Sequence, residues 1–232
     1  ADMMFNSKFD EKDIQTEKKV VGEEIYMYED SPEELVHDVL ARSVWKGNPL
    51  GYPILGTRKA LNSLDRDMIF DYLDNNYYPG NCVIAVAGSF DEDNLIGLIK
   101  KYFADWKPKS GAARKPRQAK FNPGFSAKRK DTEQVHICFA FRGIEHGSEY
   151  TYPLLALNNI FGGGMSSSLF QKVREEKGLV YSIFSYPSSY KNAGLFTIYA
   201  AMNPKHLKSV VDIVMDEINL LKEKGIEEDV LE

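Results

Sequence analysis

Residues 161–183 read FGGGMSSSLFQKVREEKGLVYSI. The glycine cluster predicts a tight turn, the serines predict the beginning of a helix at about Ser167–Glu176, and Gly178 stands where a C-terminal cap would stand. Two apolar strands follow, Val180–Tyr186 and Leu195–Met202, joined by a connection typical of a hairpin. This stretch therefore predicts a helix and antiparallel strands within one domain.

Helices and strands also alternate on both sides of this stretch. Upstream, an apolar run predicts a strand at Gln134–Phe141, and a helix follows at about Tyr152–Phe161. Downstream, Asn203-Pro204 begins a long helix that ends near Gly225. The first half of the chain predicts helices and one buried strand, at Asp10–Glu29, Pro32 to about Trp45, Asp65–Asn76, Cys82–Ala87 (the strand) and Asp91–Phe103.

These elements indicate an α+β fold with mainly antiparallel sheets flanked by helices. A faint internal repeat accompanies them. The run VIAVAGSFDEDNLIGLIKKYF from Val83 and the run FTIYAAMNPKHLKSVVDIVMD from Phe196 share the order of apolar strand, polar cap and amphipathic helix. A strand followed by a helix also recurs by chance, so this repeat alone does not establish a duplication.

A basic stretch separates the two halves of the chain. Residues 106–130 contain nine Lys or Arg, three prolines and no acidic residue. A nucleic-acid-binding arm is one interpretation. A solvated interdomain linker fits better, because no aromatic stacking platform accompanies the charges. The sequence therefore predicts one domain over residues 1–105 and another over residues 131–232.

The composition is that of an ordinary globular protein. Hydrophobic residues make up 43% of the 232 residues and charged residues 27%, and the net charge of −5 argues against a nucleic-acid binder. No apolar run approaches the roughly 20 residues that a membrane span needs, and no signal peptide is apparent. The two cysteines make no disulfide framework, so a cytoplasmic location is expected.

Two glutamates on the first long helix are candidates for a metal site. Glu17 and Glu24 lie seven residues apart, which is almost two helical turns, so both carboxylates project from one face. Such a carboxylate can ligate a metal or orient another ligand. A solvated helix face is the alternative, and Lys18 and Lys19 beside Glu17 favour it when spacing is the only evidence.

A second candidate pair lies in the stretch quoted first. Arg174 is near the end of its helix, and Tyr181 begins the strand beyond Gly178. A guanidinium and a phenol that converge can bind a peptide carbonyl or stabilise an oxyanion. A surface arginine and a half-buried tyrosine are the alternative. The four histidines have no i, i+3 or i, i+4 pair and are interpreted as structural residues.

Four motifs, taken together and in order, resemble the pitrilysin/insulinase family of zinc peptidases. The similarity extends over nearly the whole chain and is closest to the mitochondrial processing peptidase and its bacterial relatives. The motifs are EKKVVGEEIYMYEDSPEELVHDVL from Glu17, GNPLGYPILGT from Gly47, YYPGNCVIAVAG from Tyr77 and FGGGMSSSLFQKVREEKGLVYSI from Phe161.

The resemblance implies roles for the candidate residues. The family binds zinc with an inverted H-x-x-E-H helix and a later glutamate. That later glutamate matches Glu24, with Glu17 as its supporting carboxylate, and the substrate-binding Arg and Tyr match Arg174 and Tyr181. No H-x-x-E-H occurs in this chain. The chain is therefore expected to be an internal fragment, which alone would be inactive.

The same resemblance implies two duplicated domains, each incomplete here. Residues 1–105 would be the C-terminal part of the zinc domain, residues 106–130 the linker, and residues 131–232 the N-terminal part of a second, non-zinc domain. The parent protein is expected to be a zinc-dependent endopeptidase that hydrolyses peptides or unfolded proteins within a closed chamber. It would form a homodimeric clamshell with neither a nucleic-acid nor a membrane partner. The alternative is a non-catalytic scaffold or assembly subunit of the same fold.

Overall fold

The computed structural model describes residues 1–107, 117–226 and 228. These residues form two compact units. Unit 1 comprises Ala1–Ile25 and the described part of Leu55–Lys115, and unit 2 comprises Tyr26–Ile54 and the described part of Pro116–Glu232. The predicted boundaries at 1–105, 106–130 and 131–232 concern two duplicated domains and stay a prediction.

The first part of the chain is helical. Most of these helices begin at a residue whose side chain accepts a hydrogen bond from a first-turn amide, namely Ser31, Thr57, Asp65 or Asp91. The predicted helices are confirmed to within about two residues. The helices are α1 (Asp2–Phe5), α2 (Glu11–Asp30), α3 (Pro32–Val44), α4 (Arg58–Ser63), α5 (Arg66–Asn76) and α6 (Glu92–Phe103).

Unit 2 is built on a three-stranded antiparallel sheet. The strands β1 (Val135–Arg142), β2 (Val180–Tyr190) and β3 (Ala193–Met202) are arranged in the order β1-β3-β2, so that β3 is central. Two α-helices accompany them, α7 (Thr151–Phe161) and α8 (Leu207–Lys224). This arrangement confirms the α+β class and the antiparallel pairing predicted from the sequence.

The core of unit 2 lies between the sheet and the helices that follow its strands. Leu169, Val173, Ile198, Val210 and Val214 have no exposed surface. A smaller cluster joins Val44 and Trp45 of the α3 end to Leu195 of β3. These residues come from distant parts of the chain, and burying them provides the main favourable free energy of folding in this unit.

Unit 1 has little closed core. Its buried hydrophobic residues, among those described, are Ile14 and Ile25 of α2. Aromatic edge contacts tie its parts together, with Phe5 5.5 Å from Phe103 and Phe9 5.6 Å from Phe70 between ring centroids. Arg66 donates hydrogen bonds to the carbonyl oxygens of residues 8 and 9. The unit is therefore held together by aromatic edge contacts and hydrogen bonds more than by an enclosed apolar interior.

The prediction of a buried strand at Cys82–Ala87 is wrong. The segment forms no strand, and Val83 is 90% exposed while Ile84 and Val86 are each 46% exposed. A strand satisfies its backbone groups only by pairing with another strand, and no described residue of unit 1 belongs to a strand. An apolar run was therefore sufficient to suggest a strand but not to form one.

The basic stretch is partly described. Residues 108–116 of the predicted linker lie outside the described residues, and residues 117–130 form no regular element. The Asn122 amide donates to the Val44 carbonyl at 3.0 Å, and the Phe121 ring packs 6.4 Å from Trp45. The described part of the stretch therefore packs against the end of α3. Among the helices that the structure describes, none has both the length and the apolar character of a membrane span.

Candidate functional site

The two candidate glutamates lie on one continuous helix. Glu17 and Glu24 both belong to α2, and both are exposed. The helical rise separates them by roughly 10.5 Å along the axis. The expected apolar surround is partial, because Ile25 is buried whereas Val20 is 48% exposed. The two carboxylates therefore lie almost two turns apart on an exposed part of the helix, and their roles stay predictions.

A polar cavity lies on another side of the same helix. It measures about 570 Å³ and lies between α2 and α4, with Lys18 and Glu23 among its lining residues. Lys18 donates to the Asn62 carbonyl at 3.3 Å across it. Neither Glu17 nor Glu24 lines this cavity. The candidate carboxylates are therefore exposed on the helix and lie outside this cavity.

The described residues do not by themselves make a zinc site. Nowhere in ranges 1–107 and 117–226, or at residue 228, do three or more His, Cys, Asp or Glu side chains group so as to hold a metal. Protein zinc sites use at least three protein ligands. A carboxylate is a suitable zinc ligand, so Glu24 could supply one of them, and the others would have to come from outside the described residues.

Arg174 lies on an unusual helix. Residues Phe170–Glu175 form a π-helix, in which the Glu176 amide donates to the Gln171 carbonyl at 2.9 Å, five residues back. The Arg174 side chain is exposed, and its guanidinium carbon lies 4.9 Å from the centre of the Phe170 ring. Segments of π-helix are rare and occur frequently at functional sites. Arg174 is thus presented to solvent from an irregular turn above a buried Val173.

Tyr181 lies on an irregularity of the sheet. Val180 pairs with Met202 and Ser182 pairs with Ala201, so Tyr181 is the extra residue of a β-bulge in β2. Its side chain is 72% exposed, whereas Val180 is buried. Bulges are common beside active sites, where they redirect a side chain. The sequence identified Tyr181 as a candidate but contained no signal for the bulge.

A tight turn joins the two residues. Gly178 has φ +59°, a left-handed conformation that favours glycine, and its amide donates to the Arg174 carbonyl at 3.0 Å. The next amide, that of Leu179, donates to the Val173 carbonyl at 3.0 Å. The predicted cap at Gly178 is therefore confirmed. Arg174 and Tyr181 belong to one hydrogen-bonded connection that leads from the π-helix into the bulge.

A half-buried polar cluster in unit 2 was not expected from the sequence. The His37 Nδ1 atom of α3 lies 2.8 Å from the Tyr186 hydroxyl of β2 and 3.5 Å from the Cys138 thiol of β1. His136 Nδ1 similarly lies 2.9 Å from the Tyr199 hydroxyl. Burial lowers the pKa of both histidines below the usual value of 6.5. The sequence signal for this cluster is that His136 and Cys138 are two residues apart, which places both on one face of β1.

The chemistry of this cluster is structural. Burial raises the pKa of the Cys138 thiol to about 12, so the thiolate that a nucleophile or metal ligand requires is scarce at neutral pH. Burial also raises the pKa of the Tyr186 phenol to about 12. The neutral groups share hydrogen bonds between α3 and the sheet. They therefore fix α3 on the sheet in the same unit that carries Arg174 and Tyr181.

The fold and sequence are those of the M16 peptidases. The family model described as "Peptidase M16 inactive domain" matches residues 63–232, and the model described as "Insulinase (Peptidase family M16)" matches residues 1–58. The chain therefore belongs to the M16 peptidase family, as the resemblance to pitrilysin and insulinase predicted.

Individual relatives agree with this assignment. The chain is 43% identical over 226 residues to a Bacillus subtilis protein named "Uncharacterized zinc protease YmxG", covering 97% of this chain and 55% of that protein. It is 37% identical to an "Uncharacterized zinc protease" of Rickettsia felis, covering 100% of this chain and 56% of that protein. The chain thus spans about half the length of these relatives.

A solved structure shows the same fold at lower sequence identity. The peptidase M16 inactive domain structure from Pseudomonas fluorescens superposes with a TM-score of 0.84 at 19% identity, covering 98% of this chain and 55% of that chain. A chain in a structure of Complex III2 from Candida albicans superposes with a TM-score of 0.81 at 22% identity, covering 99% and 55%. The fold thus occurs in a protein assembly as well as among peptidases.

Proposed function

We propose that this chain is part of a zinc-dependent endopeptidase that hydrolyses peptides or unfolded proteins within a closed chamber. In this proposal Glu24 is a zinc ligand and Glu17 supports it, while Arg174 and Tyr181 bind the substrate. The observation that carries the proposal is that Arg174 and Tyr181 lie exposed on a π-helix and a β-bulge joined by one tight turn. Membership of a peptidase family supports the reaction class.

The residues of this chain would act by binding and orientation. Zinc, when bound, supplies a Lewis acid and lowers the pKa of a bound water. The Glu24 carboxylate would hold the metal from α2, and the Glu17 carboxylate would orient the site. The Arg174 guanidinium and the Tyr181 hydroxyl are donors, so both can bind a carbonyl oxygen of the substrate and favour charge that develops there.

The proposal includes partners and location. We expect the parent protein to form a homodimer that closes as a clamshell around an extended peptide, without a nucleic-acid or membrane partner, in the cytoplasm. The free Cys82 and Cys138 and the net charge of −5 support these expectations. Half of each relative lies beyond the region matched here, so the remaining zinc ligands are sought in the rest of the open reading frame.

The zinc ligand is tested in the full-length protein by Glu24→Gln, with zinc content measured by mass spectrometry and activity measured on a quenched peptide. Loss of zinc and a fall in activity of at least about 100-fold are expected. Glu23→Gln is the matched control, because Glu23 is the neighbouring exposed glutamate on α2 and lines the polar cavity instead. Unchanged zinc and activity in Glu24→Gln would refute the ligand role.

The substrate-binding pair is tested by Arg174→Ala and Tyr181→Phe. Each is expected to lower kcat/KM by about 10- to 100-fold with zinc content unchanged, because each removes a donor to the substrate. Lys177→Ala and Tyr152→Phe are controls, since Lys177 is an exposed cation inside the turn that is not one of the two proposed donors, and Tyr152 is an exposed phenol elsewhere on unit 2. Equal kcat/KM in the variants and the controls would exclude the pair from substrate binding.

A non-catalytic scaffold is the second candidate function. The superposition on a chain of Complex III2 from Candida albicans favours it. A scaffold has no requirement for Glu17, Glu24, Arg174 and Tyr181 together, so the four substitutions separate the candidates. The scaffold would be favoured if the unsubstituted protein has no peptidase activity and its assembly survives all four substitutions.

A further inference from the structure

Glu217 of α8 binds two residues of the chain segment that leads to Arg174. Its carboxylate accepts a hydrogen bond from the Ser168 hydroxyl at 2.7 Å, and the Lys172 ammonium donates to its two oxygens at 2.7 and 2.8 Å. The Glu217 side chain is only 12% exposed. Such charge-assisted hydrogen bonds are short and directional, so they hold both partners in a defined geometry.

This polar contact borders an apolar interface. Val210, Val214 and Ile218 of α8 are buried in the core of unit 2, as are Leu169 and Val173 of the facing segment. The Lys172 side chain is 38% exposed, so the ion pair lies at the edge of this interface, where such a pair adds little net stability. Orientation of the segment is therefore a better explanation for Glu217 than stability alone.

The segment needs such support because it is a π-helix, a rare conformation that seldom extends beyond one turn. Glu217 holds one side of it through Ser168 and Lys172, while Val173 anchors it in the core. Arg174 follows directly, and the Gly178 turn then leads to Tyr181. Glu217 therefore contacts the segment from which both donors are presented.

We propose that Glu217 is a positioning residue for Arg174 and Tyr181. It acts through Ser168 and Lys172 and does not itself touch the substrate. This inference rests on the proposed function, because it assumes that Arg174 and Tyr181 bind substrate. Its first prediction, however, concerns only the local order of the π-helix and can be measured without any activity.

The local test uses the 232-residue chain and hydrogen exchange followed by mass spectrometry. Glu217→Gln keeps the size of the side chain but weakens both contacts, so amides of residues 168–181 are expected to exchange about tenfold faster. Exchange in β3 should be unchanged. The matched control is Asp212→Asn, which alters the exposed Lys208–Asp212 pair on the same helix. Unchanged exchange at 168–181 would overturn the proposal.

A second variant tests the same contact in case Glu217→Gln does not fold. Lys172→Met removes the ion pair from the other side and leaves α8 intact. It is expected to speed exchange over the same residues 168–181. Exchange that rises across the whole of unit 2 in both variants, instead of in this segment, would show a general loss of stability and contradict a positioning role.

The functional test uses the full-length protein and a double-mutant cycle. Glu217→Gln is expected to lower kcat/KM about tenfold, mainly through KM, in the otherwise unchanged protein, and less than about twofold once Arg174→Ala is present. An equal effect in both backgrounds would overturn the positioning role. If Arg174→Ala alone has no effect, the proposed substrate role fails, and the exchange result still decides whether Glu217 orders the π-helix.

Discussion

Two stretches with the same sequence pattern have different structures in the two units. The run from Val83 and the run from Phe196 each place an apolar segment before a polar cap and an amphipathic helix. Both helices form, as α6 and α8. The apolar segment of the second run lies in β3, at the centre of the sheet, whereas the first run begins with exposed, unpaired residues.

The difference teaches that helices and strands depend on different partners. A helix satisfies its backbone hydrogen bonds within itself, and its cap, Asp91 for α6, is local. A strand depends on neighbours, and β3 has one on each side. The same apolar pattern is therefore sufficient for a strand in unit 2, while in unit 1 it leaves Val83 exposed.

The largest expected difference is in the labelling rates of the two cysteines, Cys82 in unit 1 and Cys138 in unit 2. Burial raises the pKa of Cys138 in β1 to about 12, so at pH 8 its thiolate is on the order of a thousandfold scarcer than that of an ordinary cysteine. We expect a disulfide reagent to label Cys82 rapidly and Cys138 slowly in the folded chain. Mass spectrometry of labelled peptides measures both rates, and denaturant should make them equal. Equal labelling rates of Cys82 and Cys138 in the folded chain would contradict this prediction.

The next effect compares one apolar side chain from each stretch. Ile198 of β3 is fully buried, so Ile198→Ala is expected to lower the free energy of unfolding by about 3 kcal/mol. Val86 is 46% exposed, so Val86→Ala should change it by less than about 0.5 kcal/mol. Urea unfolding is followed by the fluorescence of Trp45 for unit 2 and of Trp106 for unit 1, each in a background in which the other tryptophan is replaced by phenylalanine. A cost of about 2 kcal/mol at Val86 would show that residues 82–87 are packed in solution.

The smallest effect is a pH dependence confined to unit 2. Burial lowers the pKa of His37 below 6.5, although the carboxylates of Glu34, Glu33 and Asp38 oppose the shift. The unfolded chain therefore binds a proton at a higher pH than the folded chain does. Stability is expected to fall as the pH drops below about 6.5 and to stop falling below the folded pKa.

His37→Gln should reduce the slope of the free energy of unfolding against pH, which is measured by urea unfolding at a series of pH values. His136 has a pKa lowered by burial as well, so a double variant with His136→Gln should reduce the slope further. Slopes that match those of the unchanged chain would show that neither imidazole is held neutral by the fold.

The local features of the fold were predictable from local sequence. The helices predicted to begin at Asp65 and Asp91 are present with these residues as their caps, and the predicted cap at Gly178 is present too, because such features depend on neighbouring residues. The prediction of a strand at Cys82–Ala87 failed because strand pairing depends on residues that are distant along the chain. The roles of Glu17, Glu24, Arg174 and Tyr181 come from the family resemblance and stay predictions.

Other features have no sequence signal at all. The bulge at Tyr181 lies in the register of β2 against β3, and the π-helix that carries Arg174 shares its core cluster with α8. The hydrogen bond between His37 and Tyr186 joins residues 149 positions apart. Periodicity and spacing describe neighbours along the chain, so they do not report such contacts.

The sequence by itself determined most of the longer α-helices, the α+β class and the family, because these follow from residue types at short spacing. Only the tertiary structure decided which apolar run becomes a strand, where Glu217 holds the π-helix, and how Arg174 and Tyr181 are exposed from one turn. The physical reason is that strand pairing and side-chain packing depend on distant partners, whereas helical hydrogen bonds close within a few residues.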